Sequence, residues 1–577
     1  MKHNFNWKIG GPAGYGIKSV GAMFSRVMLR HGLFVFNYDE YPSLIRGGHN
    51  AFDVTVSTEP VYTTRRPVSL LVALDQESIS EHQHELADDG GVIFNDGPVK
   101  VDKNLFPESV KLYPVPFDKI VEEHKGEKVM RNVVSLGASF ALLGVPFESV
   151  QAIIEYKFKK KEKVVASNVT LAKAGYDFIK ENFKEEFGYQ LKKLDNPGRM
   201  ILSGNEGIVW GAIKAGLKFY SAYPMTPSTS ILHNLALQAH KYNIVVKHTE
   251  DEISAINTAV GAGYAGVRAM TASAGGGFAL MAETLGMAAI MEMPLVIAEL
   301  TRPGPSTGMP TWTGQGDLRF VLHASQDEFP RFVIAPGDVE QCFELTQTAF
   351  DIAEKYQTPV IILSDKQLAE SYQTIEKFDT RPRKLQRGKV LTEEELSKID
   401  EYKRYNTDVS DGVSPRVLPG TKKGEHLVNS DEHNELGFSE ERSDERVRMM
   451  DKRFRKVATA LEEIPDPELE GDKKADITFV SFGSTRGAIL EAMKDLKQDG
   501  IKSNFLQIIY LSPFPDKKVG EVFKKAKKVV VVECNKTGQL AGLIREHTGQ
   551  VPDYKILKYD GRPFFPDEIV DTIKDIL

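Results

Sequence analysis

An acidic residue at the start of a segment of small and apolar side chains is the first sign of chemistry in this chain. The segment TEDEISAINTAVGAGYAG covers residues 249–266, and its apolar residues recur at the i, i+3, i+4 spacing of a helix. Glu252 lies in the first turn of that predicted helix, where the helix dipole favours a carboxylate. A solvated or N-capping acid would give the same pattern, because Asp and Glu are common in first turns. Neighbouring motifs decide between a structural and a catalytic acid.

Two loops supply groups that could hold a small carboxylate. In YPMTPST, residues 223–229, two prolines bracket Thr226, so the loop is stiff and the direction of its hydroxyl is fixed. Arg302 follows the apolar strand PLVIAEL, and ligands bind beyond the carboxyl ends of parallel strands. The planar guanidinium of an arginine matches a carboxylate with two hydrogen bonds. Thr226 and Arg302 together could bind a carboxylate-bearing substrate, although Arg302 alone could equally be a surface residue of a flexible loop.

Two motifs near the start of the chain carry weaker signals. GGPAGYG, residues 10–16, follows a predicted strand, but it is out of register with the GxGxxG dinucleotide fingerprint and has no convincing acid at the expected distance. Close approach of the backbone to a partner or to a ligand phosphate is the better interpretation. EYPSLIRGGHN, residues 40–50, brings Arg46 and His49 into one loop. A turn with surface polar groups explains it better than a catalytic role, and a contact between domains or subunits is a credible alternative.

Composition limits the classes of function. The 577 residues are 41% hydrophobic and 27% charged with a formal net charge of -7, so no strongly basic field predicts nucleic acid or an anionic membrane as a main partner. The first residues lack the apolar region of a signal peptide, and no later run is long enough to span a membrane, which predicts a cytoplasmic protein. Cys342 and Cys534 are too few for an iron-sulfur cluster, which takes about four thiolates, so any cluster must belong to another chain.

The elements that position these groups form several α/β units, as expected for a chain of this length when a domain has about 150 residues. Residues 1–190 form the first unit, with a mixed, charged linker near residues 184–199. Its predicted elements are a strand at 5–11, a helix at 17–31, and strands near 33–38, 51–56, 69–73 and 91–95 that alternate with helices. In residues 200–377 strands and helices alternate as in a mostly parallel, doubly wound sheet. Residues 378–473 are so charged that composition alone predicts a disordered spacer, and residues 474–577 form a last α/β unit.

Taken together, the motifs resemble the alpha subunit of 2-oxoacid:ferredoxin oxidoreductases, in the fused gamma-alpha form typical of the 2-oxoglutarate branch. The motifs that carry this resemblance are GPAGYG, EYPSLIRGGHN, SAYPMTPST, TEDEISAINTAVGAGYAG, MTASAGGGF, TRPGPSTGMP and VVVECNKTGQL. They span nearly the whole chain in the family's order. The resemblance implies a gamma-type domain at 1–190, a pyrimidine-binding thiamine diphosphate domain at 200–377, a connecting segment at 378–473 that is not disordered, and a transketolase-C-like domain at 474–577.

The resemblance also implies a role for Glu252, which is to hydrogen-bond the aminopyrimidine ring of thiamine diphosphate. In thiamine enzymes this glutamate precedes a glycine by nine positions, and Gly261 stands at that distance; the rival Glu250 is followed at that distance by Ala259. A carboxyl group at ring N1′ stabilises the imino tautomer, whose nitrogen can remove the proton from thiazolium C2.

Further positions match the family's functional residues. Arg302 and Thr226 match those that bind the substrate carboxylate and the neighbouring keto region. The other implied positions are Tyr223, Pro224, Gly261, Ser273 and Gly275 for cofactor binding, and Arg46 and His49 for contact with another subunit or with coenzyme A.

The chain departs from a complete thiamine enzyme in one respect. It has no GDG followed some two dozen residues later by Asn, so a separate beta subunit is expected to bind Mg²⁺ and the diphosphate and to carry a [4Fe-4S] cluster; no metal site is predicted here. The loop TWTGQGD also replaces a more charged version in relatives. The implied assembly is an (alpha-beta)2 complex that converts a 2-oxoacid, coenzyme A and oxidised ferredoxin into acyl-CoA, carbon dioxide and reduced ferredoxin.

Several alternatives stay open at this point. The fused architecture favours 2-oxoglutarate as substrate, with pyruvate or a branched-chain 2-oxoacid as the alternative. A transketolase-like or decarboxylating thiamine enzyme without an electron carrier is a second class of function, and a non-catalytic nucleotide-binding module is a third.

Overall fold

The computed structural model describes residues 4–44, 47–159, 161–191 and 193–577. Its strands and helices are β1 (Asn4–Pro12), α1 (Ile17–Arg30), β2 (Phe34–Glu40), β3 (His49–Ser57), β4 (Val68–Ala73), α2 (Gln76–His82), β5 (Leu86–Asn95), β6 (Lys111–Val115), α3 (Phe117–Glu123), α4 (Arg131–Leu142), α5 (Phe147–Phe158), α6 (Glu162–Asn182), β7 (Met200–Ser203), α7 (Gly204–Lys214), β8 (Phe219–Ala222), α8 (Thr229–Tyr242), β9 (Val245–His248), α9 (Glu252–Tyr264), β10 (Ala269–Ser273), α10 (Gly275–Ile290), β11 (Leu295–Thr301), α11 (Leu318–His323), β12 (Phe332–Ile334), α12 (Val339–Tyr356), β13 (Pro359–Asp365), α13 (Lys366–Glu370), β14 (Tyr372–Ile375), α14 (Glu393–Leu396), α15 (Ser443–Glu463), β15 (Leu469–Gly471), β16 (Ile477–Ser481), α16 (Thr485–Gln498), β17 (Ser503–Gln507), β18 (Tyr510–Ser512), α17 (Asp516–Lys525), β19 (Val529–Glu533), α18 (Gln539–Thr548), β20 (Tyr554–Leu557) and α19 (Pro566–Ile576). Among the described residues, none of these helices combines the length and the apolar character needed to cross a bilayer.

The chain divides into two compact units that do not follow its order. The first unit contains Met1–Leu202, Glu370–Lys377 and Phe565–Leu577, and the second contains Ser203–Ala369 and Phe378–Phe564. Strand β14 and helix α19 therefore belong with the N-terminal part. The domain boundaries drawn from the sequence at 190, 377 and 473 stay predictions.

The first unit is built on a mixed eight-stranded sheet with the order β6-β5-β4-β1-β3-β2-β14-β7. Strand β1 pairs parallel to β4 but antiparallel to β3, and β3 pairs antiparallel to β2. The expectation that strands here alternate with helices is wrong for β2 and β3, because only residues 41–48 separate them and antiparallel neighbours need no crossover helix. The core stacks Trp7 on Phe24 and Phe24 on Phe140, with ring centroids 4.3 and 4.9 Å apart.

The second unit contains a seven-stranded sheet with the order β18-β12-β13-β11-β10-β8-β9. Every pair in it is parallel except β12 with β18. This confirms the predicted mostly parallel sheet. The carboxyl ends of β8, β10 and β11 lead directly into the loops that carry the candidate site residues, as open parallel sheets place ligands. A five-stranded sheet with the order β15-β17-β16-β19-β20 completes the unit.

The charged segment at 378–473 is packed rather than disordered. Its Arg404, Tyr405 and Lys452 are at most 1% exposed. Lys452 and Lys456 on α15 both bind the fully buried carboxylate of Glu292. Burial alone would raise the pKa of Glu292, but the two lysines overcome it and lower that pKa well below its ordinary value. Composition alone therefore misleads here, because buried ion pairs replace an apolar core.

Candidate functional site

Helix α9 begins at Glu252, and its carboxylate is buried although the residue stands in the first turn. Glu252 is 3% exposed. The N-cap is Asp251, whose side chain accepts a hydrogen bond from Ser254 N at 2.7 Å. Glu250 is exposed and accepts from Ser254 Oγ. Helix capping therefore accounts for Asp251 and solvation accounts for Glu250, but neither accounts for Glu252.

The Glu252 carboxylate lies against the start of α10. Ser273, the last residue of β10, donates from Oγ to Glu252 Oε1 at 3.3 Å. A Cβ atom on Gly277 would lie 2.0 Å from Ser273 Oγ and 2.4 Å from Glu252 Oε1. Only glycine therefore leaves room for the carboxylate in this position. The sequence places Gly277 at the end of a loop, 272–277, that could line the pyrimidine edge, but it gives this glycine no role of its own.

The loop after β8 continues this site towards Arg302. Ser273 Oγ lies 3.7 Å from Met225 Sδ, and Arg302 Nη1 donates to the carbonyl oxygen of Thr226 at 2.7 Å. The structure thus brings Glu252, Ser273, Thr226 and Arg302 into one connected group at the carboxyl edge of the sheet.

The charge of Arg302 has no counterpart among the residues that the structure describes. No carboxylate of the described residues forms an ion pair with it. Burial lowers the pKa of its guanidinium below the usual value, because a half-buried cation loses hydration. An anionic ligand at this position would replace the missing counter-charge.

The predicted cofactor residues differ in their surroundings. Tyr223 is 40% exposed with its ring 6.1 Å from that of His248, and Pro224 beside it is partly buried. A Cβ on Gly275 would lie 2.4 Å from Asp317 Oδ2, so this glycine also makes room for a carboxylate. Gly261 is exposed, with no atom within 4 Å of a Cβ position.

Gly261 does not line the same surface as Glu252. Nine residues of helix carry the chain about 13.5 Å along its axis and leave the two residues on nearly opposite faces. The nine-residue spacing that suggested a shared role for Glu252 and Gly261 therefore places the two residues apart. The cofactor roles of all these residues stay predictions.

The predicted contact loop lies in the first unit. Arg46 falls outside the described residues. His49 begins β3, and its Nε2 lies 2.9 Å from His82 Nε2. Burial, and then the nearby His82, lower the pKa of His49. Its expected contact with a subunit or with coenzyme A also stays a prediction.

Comparison with known families agrees with this geometry. Residues 210–452 match a family model described as the thiamine diphosphate-binding domain of pyruvate flavodoxin/ferredoxin oxidoreductase. Residues 6–178 match the model described as pyruvate ferredoxin/flavodoxin oxidoreductase. Residues 475–569 match core domain II of pyruvate:ferredoxin oxidoreductase.

Individual relatives extend over the whole chain. The alpha subunit of 2-oxoacid:ferredoxin oxidoreductase 2 from Aeropyrum pernix is 34% identical over 99% of this chain and 97% of its own length. The 2-oxoglutarate oxidoreductase subunit KorA of Mycobacterium tuberculosis is 28% identical over 99% of this chain and 91% of its own length. A structure of 2-oxoglutarate:ferredoxin oxidoreductase from Magnetococcus marinus with 2-oxoglutarate, coenzyme A and succinyl-CoA bound superposes with a TM-score of 0.93 at 32% identity, covering 100% of both chains. This confirms the resemblance that the motifs carry. The chain is therefore a member of the 2-oxoacid:ferredoxin oxidoreductase alpha-subunit family.

Proposed function

We propose that this chain binds the aminopyrimidine of thiamine diphosphate and the carboxylate of 2-oxoglutarate, within a complex that makes succinyl-CoA, carbon dioxide and reduced ferredoxin. The observation that supports this most strongly is that one connected group contains the buried carboxylate of Glu252 and the guanidinium of Arg302, whose charge is unpaired in the described part of the chain. A buried acid and a half-buried cation that do not pair with each other are costly unless ligands complete them.

The residues fit the cofactor in a defined way. Thiamine diphosphate supplies a nucleophilic carbon that can hold the charge left by decarboxylation. Glu252 holds a proton at ring N1′, the Ser273 hydroxyl orients that carboxyl group, and Gly277 leaves the space for it. A positioned acid of this kind contributes about 10² to 10⁴ in rate. Arg302 binds the substrate carboxylate by charge-assisted hydrogen bonds. Thr226, whose main-chain carbonyl oxygen accepts a hydrogen bond from Arg302 Nη1, is assigned to the neighbouring keto region.

A beta subunit would complete the site. This chain has no GDG motif with a following Asn, so the Mg²⁺ and diphosphate ligands and the [4Fe-4S] cluster are assigned to that partner, in an (alpha-beta)2 complex. Exposed apolar side chains beside the site support a missing partner surface: Ile253 on α9 is 48% exposed and Leu280 on α10 is 50% exposed. Gly261 lies exposed on the same helix as Ile253, where a glycine allows another backbone to approach closely.

The choice of 2-oxoglutarate is supported by the similar Magnetococcus marinus enzyme, which was solved with that substrate. Residues 303–312 contain no Lys or Arg, so they offer no second cation for the distal carboxylate of 2-oxoglutarate. We assign that group to the partner chain. Pyruvate or a branched-chain 2-oxoacid is the alternative, since neither needs a second cation.

The test is steady-state viologen reduction by the chain copurified with its beta subunit, with coenzyme A and each 2-oxoacid in turn. We expect the highest kcat/KM with 2-oxoglutarate and no turnover by this chain alone. A preference for pyruvate would refute the substrate assignment. Turnover of the oxoacid without viologen reduction would instead assign a transketolase-like or simple decarboxylase reaction.

A further inference from the structure

A second buried carboxyl group lies behind the Glu252 site and receives no hydrogen bond from the part of the chain that the structure describes. Glu299, in the middle of β11, is 0% exposed. Neither of its carboxyl oxygens receives a hydrogen bond from any donor among the described residues. Its neighbour within hydrogen-bonding reach is another carboxyl group, that of Asp317. Two carboxylates offer only acceptors, so a proton is the donor that this contact lacks.

The charges around the pair do not replace that proton. The largest electrostatic influences on Glu299 come from Asp317, in the loop before α11, and Asp365, at the end of β13, and both are acids. The Thr301 hydroxyl of its own strand donates to the carbonyl oxygen of Ser364 instead. A buried carboxyl group and a partly buried one within hydrogen-bonding reach disfavour the doubly ionised state. Burial raises the pKa of Asp317 to about 6 and that of Glu299 well above its ordinary value.

The pair is connected to the candidate site through the first turn of α10. Glu299 is the direct cross-strand neighbour of Ser273, which bonds Glu252. Asp317 occupies the space that the missing side chain of Gly275 leaves open, 2.4 Å from where a Cβ would be. The turn 275–277 therefore lies between two acids, with Asp317 against its first glycine and Glu252 against its last.

We propose that Glu299 and Asp317 are positioning residues that share one proton, and that the shared-proton pair seats the first turn of α10 against Glu252. The role of this turn in cofactor binding rests on the proposed function, but the shared proton does not. When the pair loses its proton, two like charges repel behind the turn, and Asp317 moves away from Gly275. Asp365, which acts on Glu299 from the end of β13, is also an acid and adds to this repulsion.

The sign of the pH dependence follows from the raised pKa values. A group whose pKa is raised in the folded state stabilises that state fully below its unfolded pKa, near 4 for a carboxyl group, and loses this contribution as pH rises through the folded pKa. The loss therefore begins above about pH 4 and extends through about 6 for Asp317 and higher for Glu299. Glu299→Gln supplies the hydrogen-bond donor permanently and removes one titration.

The experiment compares the alpha-beta complex of the wild type with Glu299→Gln and Asp317→Asn, and with Glu283→Gln on the exposed face of α10 as matched control. Melting temperatures are measured from about pH 5 to about pH 8.5, and thiamine diphosphate affinity over the same range. In the wild type and the control, we expect the melting temperature and the thiamine diphosphate affinity to fall as pH rises. The affinity should fall by up to about tenfold per pH unit, as for one linked proton. Either pair variant should flatten both curves. If one variant fails to fold, the other provides the same test.

Two results would overturn the inference. The first is a pH dependence of melting in Glu299→Gln and Asp317→Asn that equals that of Glu283→Gln. The second is a wild-type pH dependence that disappears when Mg²⁺ or K⁺ is added, because that would make the carboxyl pair a cation site. The melting curves need no substrate, so they decide the question even if the complex proves inactive towards 2-oxoacids.

Discussion

Gly277→Ala is the substitution that tests the geometry of the Glu252 site most sharply. The new methyl group would lie 2.4 Å from Glu252 Oε1, whereas ordinary contact begins at 3.4 Å, so the carboxylate must move by about 1 Å. A displacement of that size at a catalytic group costs about 10²-fold in rate, and complete loss of an acid or base costs up to about 10⁴. We therefore expect kcat to fall by at least about 10², or about 3 kcal/mol of transition-state stabilisation.

The expected change in stability is much smaller. The three nearest atoms that the methyl group would meet, Ser273 Oγ and Oε1 and Cδ of Glu252, belong to side chains and not to the backbone. Alanine is also favoured over glycine inside a helix by about 1 kcal/mol. The fold should therefore survive, and the loss of rate should not come from unfolding.

Gly276→Ala is the matched control for this assay. It makes the same chemical change one residue earlier, but its Cβ meets nothing closer than the carbonyl oxygen of Ser306 at 4.0 Å. Viologen reduction and melting temperature are measured for both variants in the complex. Equal activity in Gly276→Ala and Gly277→Ala would show that the position of Glu252 does not matter, and would refute the reasoning.

Two other substitutions test separate parts of the second unit. Arg302→Gln should raise KM for the 2-oxoacid by roughly 10- to 100-fold, because it removes a charge-assisted hydrogen bond of about 1.5–3 kcal/mol. The thiamine diphosphate content should stay unchanged. An unaltered KM in steady-state kinetics would contradict the assignment of Arg302 to the substrate carboxylate. Glu292→Gln should lower the free energy of unfolding by about 3–5 kcal/mol in denaturant titration, because Lys452 and Lys456 would stay buried without a carboxylate. A change below about 1 kcal/mol would show that this cluster contributes little to stability.

The sequence predicts the elements of the fold well and their long-range grouping poorly. Hydrophobic periodicity places β1 and α1 within a residue or two of their observed bounds. It contains no signal that β14 pairs with β2, more than 300 residues earlier in the chain, or that α19 joins the first unit. Strand pairing depends on matching surfaces that only the folded chain brings together. The packing of residues 378–473 was equally hidden, because ion pairs such as Lys452 with Glu292 have no periodic pattern.

For the candidate site, the sequence identified the groups that carry charge but not the groups that make room for them. Glu252 and Arg302 stood out because a charged residue in an apolar context needs a reason. Gly277 did not stand out, because this glycine matters for the Cβ atom that it lacks. The carboxylate that such an atom would meet is known only from the structure. The contact between Glu299 and Asp317 was hidden for a similar reason, since 18 positions separate them and they meet only through the sheet and the loop.

The most direct test of the central claim is the rate of 2-oxoglutarate- and coenzyme A-dependent viologen reduction by a Glu252→Gln complex. Glu250→Gln is the control, because that acid is two positions away but exposed. If Glu252 serves the cofactor, its variant should lose at least about 10² in rate while Glu250→Gln keeps near wild-type activity. A Glu252→Gln complex that works as fast as the Glu250→Gln complex would contradict the assignment of this chain as the aminopyrimidine-binding half of the site.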